Sequence, residues 1–216
     1  MRKRYWARSF FGWPTVGLAN PSRGHHALAG VERLGRIALI ITQNVDGLHQ
    51  KAGSRSVLEL HGGLHWVVCL ACQRRYPRAS VQEWMSEANP GIANEAALAG
   101  PDGDAHVPER FRLEFCVPAC PSCGGLLKPD VVFFGDSVPK HRVNTGMDAI
   151  ATASGLLVVG SSLMVYSGFR FVEFAHRRGK PVMAINLGKT RGDHLLDAKV
   201  QQDCDEFLPM LQMLRR

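Results

Sequence analysis

The sequence predicts an α/β protein in which a doubly wound parallel sheet carries a small zinc-binding insert. Two observations carry this prediction: strand-sized apolar runs alternate with helical patterns, and the middle third of the chain is rich in cysteine, glycine and proline. Alternating strands and helices are typical of parallel sheets with helices on both faces. Ligands bind such sheets beyond the carboxyl ends of the strands, so polar residues that follow a predicted strand are the candidates for a site.

Three apolar runs have the length and composition of strands that are buried on both faces. They are residues 37–41, 156–160 and 182–186. Between the last two, Phe171, Val172 and Phe174 indicate a helix, and Gly179 marks its end. Apolar residues also recur at helical spacing before the first two runs, at Leu28, Val31 and Leu34 and at Val143, Met147 and Ile150.

The first 31 residues contain no acidic side chain, and the whole chain has a formal net charge of +7. This basic segment is open to three interpretations: an organelle transit peptide, a surface for nucleic acid or phosphate, or a solvated basic helix. Its large aromatic residues, which include Trp6, Phe10 and Trp13, favour a segment that packs in the folded protein. The chain has no apolar run of the roughly 18 residues that a membrane span needs, so we expect no membrane placement.

Four of the six cysteines form two Cys-x-x-Cys pairs, Cys69 with Cys72 and Cys120 with Cys123. This spacing lets a tight turn direct both sulfurs at one tetrahedral ion, and four protein ligands leave no open position for water. The pairs therefore predict a structural zinc ion and a reducing compartment. Cys116 is close enough in sequence to compete as a ligand. Because zinc knuckles also bind nucleic acid, the basic charge leaves that alternative open.

The polar residues that follow the first predicted strand form the most specific pattern. Residues 42–49 read Thr-Gln-Asn-Val-Asp-Gly-Leu-His, and residues 59–63 read Glu-Leu-His-Gly-Gly shortly before the first cysteine pair. By themselves, Asn44 and Asp46 are typical turn residues and His61 is typical of a loop histidine. The combination, however, resembles the sirtuins.

The resemblance continues in family order over nearly the whole chain. It includes residues 128–136 (Lys-Pro-Asp-Val-Val-Phe-Phe-Gly-Asp), residues 160–163 (Gly-Ser-Ser-Leu) and residues 185–186 (Ile-Asn). Residues 4–8 and 101–104 look closest to the class II branch, which includes the mitochondrial lipoamidase-type enzymes.

The resemblance implies NAD-dependent removal of acyl groups from protein lysines, with release of nicotinamide and O-acyl-ADP-ribose and with mono-ADP-ribosyl transfer as a related activity. It implies NAD and a structural zinc ion as cofactors. His61 would be the general base that deprotonates a ribose hydroxyl, a role that suits imidazole because its ordinary pKa is about 6.5. Asn44 and Asp46 would bind the nicotinamide carboxamide and keep the reacting groups oriented for attack. Gln43 would bind the ribose.

The resemblance also implies further binding residues. For the cofactor these are Gly160, Ser161 and Ser162 at phosphate or ribose, Asn186 at the adenosine ribose, and the main chain of Cys204 beside the adenine. The main chain at Val132 and Gly135 would pair with the substrate peptide as a β-strand, and Phe133 and Phe134 would wall the acyl-lysine tunnel unless they are simply core residues.

Tyr5 and Arg8 have the Tyr-x-x-Arg spacing that, in some class II sirtuins, reads the carboxylate of a succinyl or glutaryl group. A guanidinium suits that role because it binds carboxylates with two parallel hydrogen bonds. The plain alternative is a surface arginine beside a packed tyrosine.

The resemblance divides the chain into a helical segment of a small domain (residues 1–30), an NAD-binding Rossmann-like domain (31–62 and 129–216) and a zinc-binding module (63–128). We expect a monomer in the cytoplasm or the mitochondrial matrix that acts on acyl-lysine proteins and binds neither membranes nor nucleic acid. The alternatives are a catalytically silent, zinc-stabilised interaction module and a nucleic-acid-binding zinc protein.

Sirtuins normally open with a strand, a Gly-Ala-Gly-x-Ser loop and a Gly-Ile-Pro-x-Phe-Arg segment, which residues 1–216 do not contain. The glycines of that loop permit close approach to the pyrophosphate, and the strand would be central in the sheet. The resemblance therefore implies weakened NAD binding and exposed strand edges. It favours a shortened form of an active enzyme over a misassigned start or an inactive variant.

Overall fold

The computed structural model of the protein describes residues 2–93, 98–99, 105–211 and 213. Its helices are α1 (Arg2–Leu18), α2 (Arg23–Arg33), α3 (Leu48–Lys51), α4 (Arg78–Ala88), α5 (Pro90–Ala93), α6 (Glu109–Glu114), α7 (Lys140–Thr152), α8 (Tyr166–Arg177) and α9 (Cys204–Leu211). Its strands are β1 (Ile40–Thr42), β2 (Val57–Glu59), β3 (Gly62–Cys69), β4 (Arg75–Pro77), β5 (Leu98–Ala99), β6 (Ala105–His106), β7 (Leu127–Val131), β8 (Leu156–Val159), β9 (Val182–Ile185) and β10 (Ala198–Val200).

The chain forms two compact units, of which unit 1 comprises residues 1–19 and 63–131 and unit 2 comprises residues 20–62 and 132–216. The predicted helical segment of the small domain ends at residue 30, and the division between the two units falls after Ala19. The reason is that α2 packs against α9 within unit 2, where Ala27 and Leu28 share an apolar cluster with Leu208.

The strands of unit 2 pair in parallel, which confirms the predicted α/β class. β1 pairs with β2, and a second sheet has the order β10-β9-β8. Val158 on β8 and its register partner Ala184 on β9 pack in a cluster with residues of α7 and α8. The residues that follow them, Val159 and Ile185, pack in a different cluster with residues of α2 and α9. Because successive side chains of a strand point to opposite faces, helices cover this sheet on both sides.

The first predicted strand is shorter than its apolar run. The sequence predicted residues 37–41, but the ladder begins at Ile40, whose N–H donates to the Ser56 carbonyl at 2.9 Å. Pairing starts there because β2 provides partners only from Val57 onward. β2 itself, with three residues, is too short to show a strand pattern in the sequence. Since Thr42 pairs with Glu59, the residues that follow β1 and β2 leave the sheet at the same edge.

The aromatic residues of the basic N-terminal segment pack in unit 1, as predicted. Trp6 on α1 is 1% exposed, and its indole N–H donates to the Leu127 carbonyl on β7 at 3.3 Å. Trp6 and Phe10 share a core with Val67 and Met85. Over the part of the chain that the structure describes, every helix is too short or too polar to traverse a bilayer.

Arg78, at the start of α4, is a buried cation in unit 1. Only 2% of the residue is exposed, and its guanidinium lies 5.0 Å from the ring centroid of Trp13 and 5.6 Å from that of Trp6. It donates hydrogen bonds to the Gln82 side chain at 2.8 Å and to the Ser9 carbonyl at 3.1 Å. Burial lowers the pKa of Arg78 to about 10, so the guanidinium remains charged at neutral pH.

Arg78→Ala is expected to lower the free energy of unfolding by about 3 kcal/mol, because it opens a cavity between two indoles and leaves the Ser9 carbonyl without this donor. Urea unfolding of the zinc-loaded protein measures the change. Arg4→Ala, at an exposed position of the same α1 helix that holds Ser9, is the control and should change stability by less than about 0.5 kcal/mol. Equal effects of the two variants would contradict this account of Arg78.

Candidate functional site

Three polar side chains meet beyond the carboxyl ends of β1 and β2. Gln43 directly follows β1, His61 follows β2, and Ser167 lies in the first turn of α8. His61 Nδ1 is 3.0 Å from the Gln43 main-chain oxygen, and His61 Nε2 is 2.8 Å from Ser167 Oγ. The Gln43 amide Nε2 is 3.3 Å from the same hydroxyl. The structure thus brings together two of the predicted site residues and adds Ser167.

The chemistry of the Gln43 carbonyl fixes the proton on the His61 ring. A carbonyl oxygen only accepts hydrogen bonds, so Nδ1 must donate to it and must carry a proton. In the neutral imidazole the other nitrogen, Nε2, is then an acceptor, and its lone pair faces Ser167 Oγ. A half-buried imidazole held in this way can take a proton from a bound hydroxyl group.

Ser167 is a site residue that the sequence motifs do not predict. Its sequence surroundings predicted a helix, and a serine near a helix start is normally explained by the helix alone. The available signal was its position, a few residues after the Gly-Ser-Ser-Leu segment at the end of a predicted strand. The structure shows it buried against the imidazole.

The residues that follow β8 extend the same cluster. Ser161 Oγ is 3.5 Å from Gln43 Oε1 and accepts the Leu163 N–H at 3.2 Å. Gly160 has a φ of +58°, a left-handed conformation that glycine adopts without strain. Ser162 is exposed, and its carbonyl accepts the Arg191 N–H at 2.9 Å. Ser161 is therefore near the Gln43 side chain, and the predicted residues Gly160 and Ser162 flank it in sequence.

Asn186 and Cys204 lie near the ends of the neighbouring strands. The Asn186 N–H donates to the Val200 carbonyl at 3.0 Å, and its side-chain amide donates to the Gly188 carbonyl at 2.8 Å. A Cβ on Gly160 would lie 3.5 Å from Cys204 Sγ, so Gly160 and Cys204, both predicted to bind the cofactor, are neighbours. Burial raises the pKa of the Cys204 thiol, which favours its neutral form.

Asn44 and Asp46 support the loop after β1. The Asn44 N–H donates to Thr42 Oγ1 at 3.1 Å, and Asp46 Oδ1 accepts the Leu48 N–H at 2.9 Å. The Asp46 contact agrees with the turn role that its residue type suggests, whereas the Asn44 contact uses the main-chain N–H of Asn44 and the Thr42 hydroxyl. The Asn44 residue is exposed and Asp46 is half-buried. Their contact with nicotinamide stays a prediction.

The predicted peptide-binding segment is tied to the main chain of His61. The Val132 N–H donates to the His61 carbonyl at 2.8 Å. Residues 133–136 then turn, with the Asp136 N–H on the Phe133 carbonyl at 2.9 Å and a φ of +92° at Gly135. Phe134 is 101% exposed, so the alternative that it is a core residue is wrong. Binding of peptide by this segment stays a prediction.

Tyr5 and Arg8 are both partly buried on α1, in unit 1. Their proposed contact with an acyl carboxylate stays a prediction. Residues 101–104, which contributed to the class II resemblance, lie outside the described residues.

The four paired cysteines of unit 1 form one cluster, in which all four sulfur atoms lie within 4.8 Å of one another. Cys69 Sγ is 3.5 Å from Cys123 Sγ, and Cys72 Sγ is 3.8 Å from Cys120 Sγ. A tetrahedral zinc ion with Zn–S bonds of about 2.3 Å requires sulfur separations of about 3.8 Å, so the cluster fits structural zinc. Among the described residues, Cys116 is not a member of the cluster.

The surroundings of the cluster also suit a metal site. A Cβ on Gly125 would lie 2.9 Å from Cys69 Sγ, so a side chain there would crowd the sulfurs. Burial opposes ionisation of Cys120, but hydrogen bonds from the Tyr76 hydroxyl and from main-chain N–H groups outweigh it and lower the pKa of that thiol to about 6. The main-chain N–H of Gly125 favours ionisation of Cys123, but hydrogen bonds with the other cysteine thiols outweigh it and raise the pKa of that thiol to about 12, so the metal-free cluster holds both protonated and ionised sulfurs. The thiolate is the form that binds metal.

The chain matches known proteins over most of its length. The model of the Sir2 family matches residues 2–167. An NAD-dependent protein deacetylase of Xanthomonas campestris pv. campestris (strain 8004) is 54% identical over 211 residues, which cover 98% of this chain and 72% of the relative. The NAD-dependent protein deacylase Sirt4 of Drosophila melanogaster is 46% identical, with 98% of this chain and 68% of the relative covered.

Solved structures show the same fold. A structure described as Sir2 bound to acetylated peptide superposes with a TM-score of 0.74 at 29% identity and covers 92% of this chain and 72% of its own. A structure described as Sir2 with p53 peptide and NAD+ gives a TM-score of 0.71 at 30% identity, with 90% and 70% covered.

Proposed function

The chain belongs to the Sir2 family, and from that premise we propose that it is an NAD-dependent protein-lysine deacylase with His61 as its general base. The observation that carries the assignment to His61 is its hydrogen-bonding pattern. Nδ1 is held by the Gln43 carbonyl, so Nε2 is the nitrogen that can accept a proton.

NAD, when bound, supplies the ribose carbon that accepts the acyl oxygen and the nicotinamide that leaves. The chain's own residues bind and orient it. We assign the ribose to Gln43 with Ser161, and the nicotinamide carboxamide to Asn44 and Asp46. Gly160, Ser162, Asn186 and Cys204 complete the proposed cofactor site. The support is the pair of contacts that Gln43 makes. Its main-chain carbonyl binds His61, and its side-chain amide binds Ser167, so a ligand bound at Gln43 would lie next to His61.

The proposed partners are acyl-lysine proteins, bound as an extended strand by the main chain at Val132 and Gly135, with Phe133 beside the acyl chain. The hydrogen bond from Val132 to the His61 carbonyl supports this placement, because it fixes the peptide-binding segment relative to the base. We further infer a monomer that works in the cytoplasm or the mitochondrial matrix, and mono-ADP-ribosyl transfer as a secondary activity of the same site.

The proposed function is tested with the purified, zinc-loaded chain, NAD and an acetyl-lysine peptide. Release of nicotinamide and loss of acetyl in equal amounts supports it. If neither nicotinamide release nor acetyl loss occurs, even at NAD concentrations far above those that relatives need, the silent interaction module is favoured. DNA binding that weakens steeply with salt would favour the nucleic-acid alternative.

For the acyl preference, we predict that this chain favours acidic or long acyl chains and that Arg8 reads the carboxylate of an acidic one such as succinyl or glutaryl. Arg8→Ala should lower kcat/KM for the acidic acyl peptide about tenfold or more relative to the acetyl peptide, because it removes a charge-assisted pair. Arg4→Ala, the neighbouring exposed arginine, is the matched control. An unchanged ratio of the two substrates in Arg8→Ala would reject this preference.

A further inference from the structure

We propose that Ser167 is a positioning residue for the base: its hydroxyl holds His61 in the Nδ1–H tautomer and occupies the Nε2 lone pair until a ribose hydroxyl replaces it. This inference rests on the proposed function, since it assumes that His61 Nε2 accepts the proton. It adds a residue that the sequence motifs do not assign.

The hydrogen bonds form a closed ring that begins and ends at Gln43. The Gln43 side-chain amide donates to Ser167 Oγ (3.3 Å), Ser167 faces His61 Nε2 (2.8 Å), and His61 Nδ1 donates to the Gln43 carbonyl (3.0 Å). Because Nδ1 carries the proton of the neutral ring, the Ser167 hydroxyl must be the donor to Nε2. One placement of the protons therefore satisfies all three hydrogen bonds, and in that placement Nε2 is the unprotonated nitrogen that can act as the base.

A hydroxyl suits both protonation states of the imidazole. Before proton transfer it donates to the Nε2 lone pair. After a ribose hydroxyl has given its proton to Nε2, the serine can rotate, and its oxygen can accept from the new Nε2–H while Ser167 keeps its own proton. A carbonyl oxygen in the place of this hydroxyl could bind only the protonated imidazole, because it accepts hydrogen bonds and cannot donate one. The proton thus moves from the ribose oxygen to Nε2 alone, and Ser167 stabilises the ring on either side of the transfer.

The local structure holds this hydroxyl in place. Ser167 is buried in the first turn of α8, and a regular helix is a rigid element on which to place a side chain. The next residue, Gly168, lets the glutamine approach: a Cβ there would lie 2.6 Å from Gln43 Oε1. Ser167 and Gly168 together therefore bring Gln43 close to the helix without displacing the imidazole.

The first test is kinetic. Ser167→Ala is expected to lower kcat for acyl-lysine removal about tenfold while KM for NAD changes less than about twofold, because the base is misaligned but the cofactor contacts remain. Ser167→Thr keeps the hydroxyl and should restore most of the activity. Ser86→Ala, which removes a serine hydroxyl from α4 in unit 1, is the control and should match the wild type. If Ser167→Ala does not fold, Ser167→Cys takes its place in the test, because a thiol has a similar volume and is a weaker hydrogen-bond donor.

The second test does not need turnover. In ¹⁵N spectra of the imidazole groups at alkaline pH, with the His61 signals assigned by their loss in His61→Ala, the wild type should show a protonated Nδ1 and an unprotonated Nε2. Ser167→Ala should shift the Nε2 resonance downfield, because Nε2 loses its donor, and Ser86→Ala should leave it unchanged. An unchanged His61 spectrum and unchanged kcat in Ser167→Ala would overturn the inference.

The failure of this inference can be separated from the failure of the proposed function. If His61→Ala still removes acyl groups, the role of the base itself is wrong, and the role of Ser167 falls with it. If His61→Ala is inactive while Ser167→Ala behaves as the wild type in both tests, only the role of Ser167 is wrong.

Discussion

Replacing His61 with alanine is expected to lower kcat/KM for acyl-lysine removal about 10²- to 10⁴-fold, the usual contribution of a general base. The loss follows because Nε2 is the nitrogen of this ring that the Gln43 carbonyl leaves able to accept a proton. Steady-state assays with NAD and an acetyl-lysine peptide measure it, on protein whose thermal unfolding shows that it is folded.

The matched control is His176→Ala, at an exposed position near the end of α8. It removes an imidazole of the same chain without changing the ring of hydrogen bonds around Gln43, so its activity should equal that of the wild type. A His61→Ala variant that retains more than about a tenth of wild-type kcat/KM would contradict the assignment of the base.

Removal of zinc is the second large expected effect, and it should unfold unit 1. Binding of structural zinc is worth on the order of 10 kcal/mol or more in small zinc modules, which is comparable to the whole stability of a typical domain. Cys69 and Cys120 are buried and share a core with Trp6 and Phe115, so loss of the ion also disturbs apolar packing. Cys120→Ser, or a strong chelator, should therefore abolish the tertiary structure around these residues.

Zinc content by mass spectrometry and near-ultraviolet circular dichroism of the tryptophans check this result. We expect about one zinc ion per chain in the wild type and in Cys116→Ser, which alters a thiol outside the cluster. Cys120→Ser should lose both the ion and the tryptophan signal. A metal-free chain with an unchanged near-ultraviolet spectrum would show that the cluster does not stabilise the unit.

The sequence predicted most of the features that depend on local pattern. β8 and β9 were recognised because strands buried on both faces are continuously apolar. The end of α8 was recognised from Gly179, which has a φ of +64° while the Lys180 N–H donates to the Ala175 carbonyl at 3.0 Å. The zinc cluster was recognised because Cys-x-x-Cys spacing is itself a geometric constraint.

The features that depend on distant contacts could not be predicted in the same way. The start of β1 is set by where β2 begins, and three residues of β2 carry no pattern of their own. α2 joined unit 2 because of its packing against α9, some 180 residues away in sequence. Ser167 joined the site because α8 places it against His61, a contact across 106 positions that no motif records.

The most direct test of the central claim compares two rates in His61→Ala: exchange of labelled nicotinamide into NAD in the presence of acyl peptide, and release of the acyl group. In the mechanism that the family resemblance implies, nicotinamide departs before the step that needs a base. We therefore predict that exchange continues near the wild-type rate while acyl release is lost. Loss of both rates in equal proportion, in a folded variant, would contradict the assignment of His61 as the base.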